Sequence, residues 1–528
     1  MRTTLLAASM SLAVALLGSA GAGAQNTALP DMGSSAGKVL SPAEQTQYGQ
    51  MTLSQLRNYG YTLDDPLLAG WLQSMGERLG AASDKPDQQF TLFLLKERQI
   101  NAFATLGGYV AVNAGLILAA DREDEVAAVL SHEIAHVTQS HVLRAVERAQ
   151  RDSVPILLAM LGAIAMSQAS HSSSADNAAM AAMASAQGLM AQRQIDYTRD
   201  NEAEADRIGI RTLARSGYDP KAMADFFEKL QVVVRTNQGG ERERTPDYLQ
   251  THPVTTTRIS EARQRAEQLA RSSDAFVPSV GTTDNPLLPA TLRISGSAVR
   301  GDSGQFAWAR ERMRVLSADT PGTAIREYEG MRHGKPLSDP QRYGLALARL
   351  LDGQPAAAAQ QLAPLLDAHP GDVWVTLALA QAEAQSGQVA SADQRFEALV
   401  ERMPGNRAVA LTYAEILDER NTVVAGKRAQ AVLRPLLSSA ADDPVFQQTF
   451  ARSSEIAGDA VRAGEAYAEA AYLNGRPEQA LVQLNTLKKR SDVDYYARSR
   501  IDARIAAITP TVLELRRQGV RDEDLDRQ

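Results

Sequence analysis

A chain of 528 residues is too long for a single hydrophobic core and calls for two to four domains. With 44% hydrophobic and 22% charged residues it has the composition of an ordinary globular protein, and neither its net charge of -7 nor any Lys/Arg cluster points to nucleic acid. The first element reads as a secretory signal, with an uncleaved anchor as the plainer alternative. Arg2 precedes an apolar run from Leu5 to Leu17, and Ala22-Gly23-Ala24 fits a small-x-small cleavage site that leaves Gln25 as the first mature residue. The chain has no Cys, which excludes lipid attachment at that site and disulfides in a compartment that permits them.

Two short β-rich runs follow, Phe90 to Leu95 and Tyr109 to Val112, with Gly107-Gly108 as turn residues between them. If Tyr109, Val110, Ala111 and Val112 form an exposed sheet edge, an extended peptide can pair with it through main-chain bonds and without a sequence requirement.

A helix from about Asp124 to Arg148 comes next, with acidic residues in its first turn. It carries His132-Glu133-Ile134-Ala135-His136, the H-E-x-x-H form. At 3.6 residues per turn the two histidines share one face, as metal ligands must. Glu133 lies about 100° round the helix, placed to take a proton from a water activated by the metal. Leu130, Ile134, Val137 and His141 form a stripe on the opposite side, so His141 is expected to pack or hydrogen-bond rather than to join the metal.

The apolar run Val154 to Met166 spans about 20 Å as a helix, too short to cross a bilayer. With the Ala/Ser/Met-rich stretch to Met190 it reads either as a helical hairpin over the core or as a lid or interfacial segment on membrane or unfolded substrate. In Asn201-Glu-Ala-Glu-Ala-Asp206, Glu202 and Asp206 lie one turn apart and Glu204 points about 200° away from Glu202. Either Glu202 is a third metal ligand with Asp206 behind a ligand histidine, or these are acids serving a helix N-terminus. The loop from Thr236 to Leu249, with Gly239-Gly240, is a candidate moving part.

Beyond Ala270 the composition changes. Ser272 to Ser303 has the Ser/Gly/Pro/Thr content of a linker. Gly353, Ala358, Leu362 and Pro370 recur 34 residues later as Gly387, Ala392, Phe396 and Pro404, a tetratricopeptide signature. Gly458-Ala463-Tyr467 and Gly475-Ala480-Leu484 repeat the offsets. The period is lost between Pro404 and Pro444, where Pro435 intervenes and one repeat is expected to be degenerate or to hold an insertion. Such stacks form curved surfaces for peptides or partner proteins.

Asn101-Ala-Phe103, Gly107-Gly108, His132-Glu-x-x-His136, Glu202-x-x-x-Asp206 and Thr251-His-Pro253 with Arg258, in that order, resemble the zinc metalloprotease family that contains HtpX and the CAAX prenyl proteases. The similarity extends to the secreted branch in which the protease is joined to tetratricopeptide repeats. The resemblance implies one Zn²⁺ per chain on His132, His136 and Glu202, with Glu133 as general base and Asp206 behind the ligands. It also implies that His252 takes the fourth position as a latch, against the plainer reading of a histidine packed under Pro253 that orders the loop. Arg258 steadies a carboxylate or the developing oxyanion, or forms a surface ion pair.

The expected architecture is an α+β zincin-like domain, mainly helical with a small sheet, followed by an all-α tetratricopeptide solenoid. Its parts are a signal peptide (1–24), the metalloprotease domain (25–271), a linker (272–303), the repeats (304–508) and a charged tail (509–528). By resemblance the protein is a periplasmic endopeptidase whose clients are unfolded or misassembled outer-membrane β-barrel proteins. Its partner would be the barrel-assembly machinery, reached through the repeats, and the apolar 154–190 segment adds a peripheral membrane contact. The rival is an assembly chaperone whose site stays latched.

Overall fold

The computed structural model describes residues 40–145, 147–148, 197–237, 248, 252–271, 303–332 and 335–517. The expected signal segment, the apolar 154–190 stretch, most of the 236–249 loop, nearly all of the 272–303 linker and the end of the charged tail lie outside these residues.

The N-terminal domain begins with α1 (Pro42–Asn58) and α2 (Pro66–Ala81). Helix α2 starts where Asp65 accepts a hydrogen bond from the Leu68 N–H and Pro66 presets the first turn. Its Leu68, Leu72, Met75 and Leu79, at helical spacing, are all buried. Three strands follow, β1 (Thr91–Leu95), β2 (Ala102–Ala104) and β3 (Tyr109–Asn113), in the order β1-β3-β2. β1 runs parallel to β3 and β2 antiparallel to it. Gly107-Gly108 therefore joins β2 to β3, and does not close a hairpin between the two runs picked out in the sequence.

After α3 (Ala114–Ala119) comes α4 (Glu123–Thr138), whose residues are nearly all buried, so the helix threads the middle of the domain. The expected single helix to Arg148 is interrupted. α4 ends at Thr138, Ser140 takes a left-handed φ of 56°, and a second helical segment starts at His141. Among the described residues the domain continues with α5 (197–215), α6 (Ala222–Asn237) and α7 (Thr256–Arg271).

From Phe306 to Arg517 the described chain is helical hairpins. The recurrent Gly353 and Gly387 sit at φ 76° and 88° between paired helices, a turn that L side chains resist. Ala358, Leu362, Ala392 and Phe396 are fully buried beside them. In the irregular stretch Asn421 at φ 50° stands where glycine recurs elsewhere, and Pro435 lies in a 3₁₀ turn after Val423–Leu433, lengthening the connection to Pro444–Ala457. The last helix, Tyr495–Arg517, buries Ile508 and Val512, so ordered repeat structure continues past residue 508.

The repeats rest on the N-terminal domain. Arg312 forms a two-pronged ion pair with Asp65 at 2.8 and 2.6 Å, Phe306 lies 6.2 Å from Trp71, and one continuous core contains both sets of residues. Farther along, Arg407–Glu419 packs on α2, and Arg476 reaches Asn58 of α1 at 3.3 Å. A cavity of about 680 Å³ lies at that second junction, away from the histidines.

Buried Asp418, on Arg407–Glu419, accepts the Ser453 hydroxyl at 2.7 Å, and burial lifts its carboxyl to about 6 from 3.8. A raised acid costs nothing below the unfolded value, where both states are protonated; the cost builds as pH rises through the unfolded value and is complete above the folded one. Stability is therefore expected to fall by up to about 3 kcal/mol between pH 4 and 7 through this group. Asp418→Asn should remove that component, as measured by urea denaturation across this range.

Candidate metal centre

α4 supplies His132, Glu133 and His136, and α5 crosses it closely enough to deliver Glu202. The approach depends on Gly209, where a Cβ would stand 3.1 Å from the His132 Cα. The segment before α7 brings His252 from the third side. His132, Glu133, Glu202 and His252 are buried, and His136 is partly so.

Their donor atoms converge. His132 Nε2 lies 3.0 Å from His136 Nε2, 3.3 Å from His252 Nδ1 and 3.4 Å from Glu202 Oε2. Glu202 Oε1 lies 3.3 Å from His136 Nε2 and 2.8 Å from His252 Nδ1. Four ligands at zinc-like bond lengths in a tetrahedron stand about 3.3–3.4 Å apart. The cluster has nearly that size, and all four residues offer atoms within 4.8 Å of one another.

Charge and unmet bonding point the same way. With the imidazoles neutral, as metal ligation requires, the carboxylates of Glu133, Glu202 and Asp206 against the guanidinium of Arg258 would leave two negative charges for a dication to balance. Although burial opposes charge, the Glu202 and Asp206 carboxylates raise the His132 ring to about 10. Burial takes His136 down to about 3 and lifts the Glu133 carboxyl above its ordinary value. Burial would also raise Glu202, but His132, His136 and His252 hold it far below the usual carboxylate range. The buried Glu133 Oε1 has no hydrogen-bond partner, and its nearest imidazole nitrogen is His252 Nε2 at 3.7 Å. These residues fit a divalent metal with an open oxygen beside it.

The surrounding groups hold the ligands. His132 Nδ1 stands 2.9 Å from Asp206 Oδ1. Arg258 donates through Nε and Nη2 to both Asp206 oxygens at 2.6 and 2.7 Å, and Nη1 lies 2.8 Å from Glu202 Oε2 and 2.9 Å from the Pro253 carbonyl. Of the readings open for Arg258, the geometry places it under the carboxylates, neither at an oxyanion position nor in a surface ion pair. His252 stacks on Tyr248, with ring centroids 4.7 Å apart.

Two placements differ from expectation. Tyr109, Val110, Ala111 and Val112 are in the middle strand, paired on both sides and mostly buried, so they form no exposed edge. The strand flanking α4 is β2. His141 does not lie opposite the ligand face. The break at Ser140 folds it back, and its Nδ1 sits 2.8 Å from the Nδ1 of His136. Helical periodicity has no signal for that reversal. Tyr248 and Glu204 also escaped sequence reasoning as parts of the site, because neither belongs to a spaced pattern.

Comparison with known proteins agrees with this geometry. Residues 66–266 match the family model of Peptidase family M48, and residues 349–416 match that of a tetratricopeptide repeat. The chain is 34% identical over 351 residues to the beta-barrel assembly-enhancing protease of Escherichia coli (strain K12), covering 66% of this chain and 64% of that protein. It is 40% identical over 240 residues to the putative beta-barrel assembly-enhancing protease of Vibrio cholerae, covering 46% and 48%. To the mitochondrial metalloendopeptidase OMA1 of Schizosaccharomyces pombe it is 26% identical over 203 residues, covering 38% and 54%. The chain thus spans less than two thirds of the length of these relatives. No helix among the described residues is long and apolar enough to cross a membrane.

Proposed function

Because its residues 66–266 belong to peptidase family M48 and a run of tetratricopeptide hairpins follows them, we propose that this chain is a periplasmic zinc endopeptidase that cuts misfolded polypeptides. The observation that carries the reading is the convergence of donor atoms from His132, His136, Glu202 and His252 beside the unpartnered oxygen of Glu133.

His132, His136 and Glu202 would hold Zn²⁺, which when bound polarises a water and the scissile carbonyl. Glu133 takes the proton of the attacking water and passes it to the leaving amine. Its burial, which raises the carboxyl, brings its proton affinity toward the working range. Asp206 fixes the His132 ring, and Arg258 ties Asp206 and Glu202 together. A client segment would enter extended along β2, the edge strand that lies beside α4.

His252 is the latch. With it in place four protein donors close the site, and water enters only after it swings out. The names of the E. coli and V. cholerae relatives support outer-membrane β-barrel proteins as clients and the barrel-assembly machinery as partner, engaged by the repeats. The N-terminal Arg2 and apolar run support export to the periplasm. A chaperone reading is favoured by one observation, the inward position of His252.

Degradation of an unfolded model protein by the purified chain tests these readings. The zinc-loaded wild type should cut slowly, the zinc-stripped protein not at all, and His252→Ala about tenfold faster than wild type, a barrier lower by about 1.4 kcal/mol. If no form cuts while all retain the client, the chaperone reading replaces the enzyme.

A further inference from the structure

His136 offers Nε2 to the metal position, which leaves Nδ1 carrying the proton. That proton needs an acceptor. Metal-binding histidines ordinarily give it to a carboxylate, a carbonyl or water, and the partner sets the ring's tautomer and orientation. For His132 the partner is Asp206. For His136 it is another imidazole, His141, with Nδ1 to Nδ1 at 2.8 Å and the rings edge-to-face at 4.7 Å.

We infer that His141 is a positioning residue for the metal centre, the first link in a relay that runs from His136 through His141 to Glu204 and Arg144. The inference rests on the metallopeptidase reading above. The direction of the relay follows from the chemistry. His136 Nδ1–H donates, so His141 Nδ1 accepts and its own proton sits on Nε2. That nitrogen lies 3.2 Å from Glu204 Oε2, which also accepts from Arg144 Nη2 at 2.7 Å. Each ring proton between His136 and Glu204 then has an acceptor. The opposite tautomer of His141 would aim a lone pair at the carboxylate and a second N–H at His136.

The backbone shows the device is built. Continued as one helix, His141 would lie about 140° round from His136 and out of reach. Instead Ser140 adopts φ 56°, a region that non-glycine residues seldom occupy, and the chain turns back so that His141 is 96% buried against His136. Its ring is fixed from a second side, because Glu204 stands two residues from the ligand Glu202 on α5. The same helix therefore supplies one ligand directly and steers another through His141. Strain retained at such a position marks a functional constraint.

Zinc affinity of the full mature chain, by competition with a chelator, tests the relay, together with the visible spectrum of the cobalt-substituted protein. His141→Phe, which keeps the packing and removes the acceptor, should weaken zinc binding at least tenfold and shift the cobalt bands. His141→Asn, which keeps an acceptor toward His136, should recover affinity to within about threefold of wild type. Glu204→Ala should weaken it about three- to tenfold. Wild-type affinity and spectrum in His141→Phe overturn the inference, as does an equal loss in His141→Asn. Should His141→Phe fail to fold, unchanged affinity in Glu204→Ala overturns it instead. A wild type that binds no zinc refutes the metallopeptidase reading, and the relay with it; a loss confined to the variants leaves that reading intact.

Discussion

Glu133→Gln should reduce cleavage of an unfolded protein by about 10²–10⁴-fold, the range expected when a positioned general base is removed. The amide keeps the size of the side chain and a hydrogen-bonding oxygen, but it takes no proton at neutral pH. The substitution replaces a buried group that is not a metal donor, so zinc content should stay at one per chain and the melting temperature should hold or rise. A rise is the more informative result. The carboxylate is fully buried, its Oε1 has no partner, and burial already presses it toward the neutral form, so a neutral amide relieves a cost. Measured together, lost turnover with retained zinc separates base from ligand. Retained turnover would show that another group accepts the proton, and the mechanism would have to be redrawn.

Arg258→Ala should destabilise the fold by about 3–5 kcal/mol, because it removes one partner of a buried ion pair and leaves the others in place. Asp206 loses two short charge-assisted bonds, Glu202 loses its nearest guanidinium, and the Pro253 carbonyl loses its donor. The same cation packs over the Phe227 ring at 4.8 Å, so the truncation also empties part of the core. Zinc should recover some of this loss by neutralising Glu202. The gap between wild type and Arg258→Ala in thermal melting is therefore expected to narrow on metal addition. Arg258→Lys should restore charge without the two-pronged geometry and fall between them. A melting curve unchanged in Arg258→Ala would mean that the carboxylates find water instead.

These two residues differ in how they could be read. Glu133 is legible in its placement, which follows from local spacing: a helix has one pitch, and His132, Glu133 and His136 are bound by it wherever the helix goes. The repeats are legible on the same ground. Gly353, Ala358 and Leu362 recur as Gly387, Ala392 and Phe396 because each hairpin solves one packing problem in the same way, and both glycines occupy the left-handed turn. Glu202 and Asp206 were legible as a pair one turn apart, yet spacing left them open between ligands and a helix terminus. Only the approach of α5 to α4 brings Glu202 to within 3.4 Å of His132.

The remainder depends on long-range geometry that no local pattern encodes. Tyr109 to Val112 has the composition of a strand, but edge or centre is decided by whether a third segment pairs with it, and Ala102–Ala104 does. His141 obeys the helical period up to the residue where the helix ends, and a single positive φ at Ser140 sends it to the opposite side. Arg258 appears in sequence as a basic residue early in an amphipathic helix. Its role arises because the fold brings Asp206, 52 residues away, within two hydrogen bonds of its guanidinium. By itself, then, the sequence determined the helix that carries His132, Glu133 and His136, the helical character of the repeats and their period, because these follow from nearest-neighbour sterics and burial repeated at a fixed interval. The tertiary structure decided which of the remaining polar residues meet at the metal position and which strand lies beside it. Those contacts join elements tens to hundreds of residues apart, and their energies depend on burial and distance, which the order of residues does not specify.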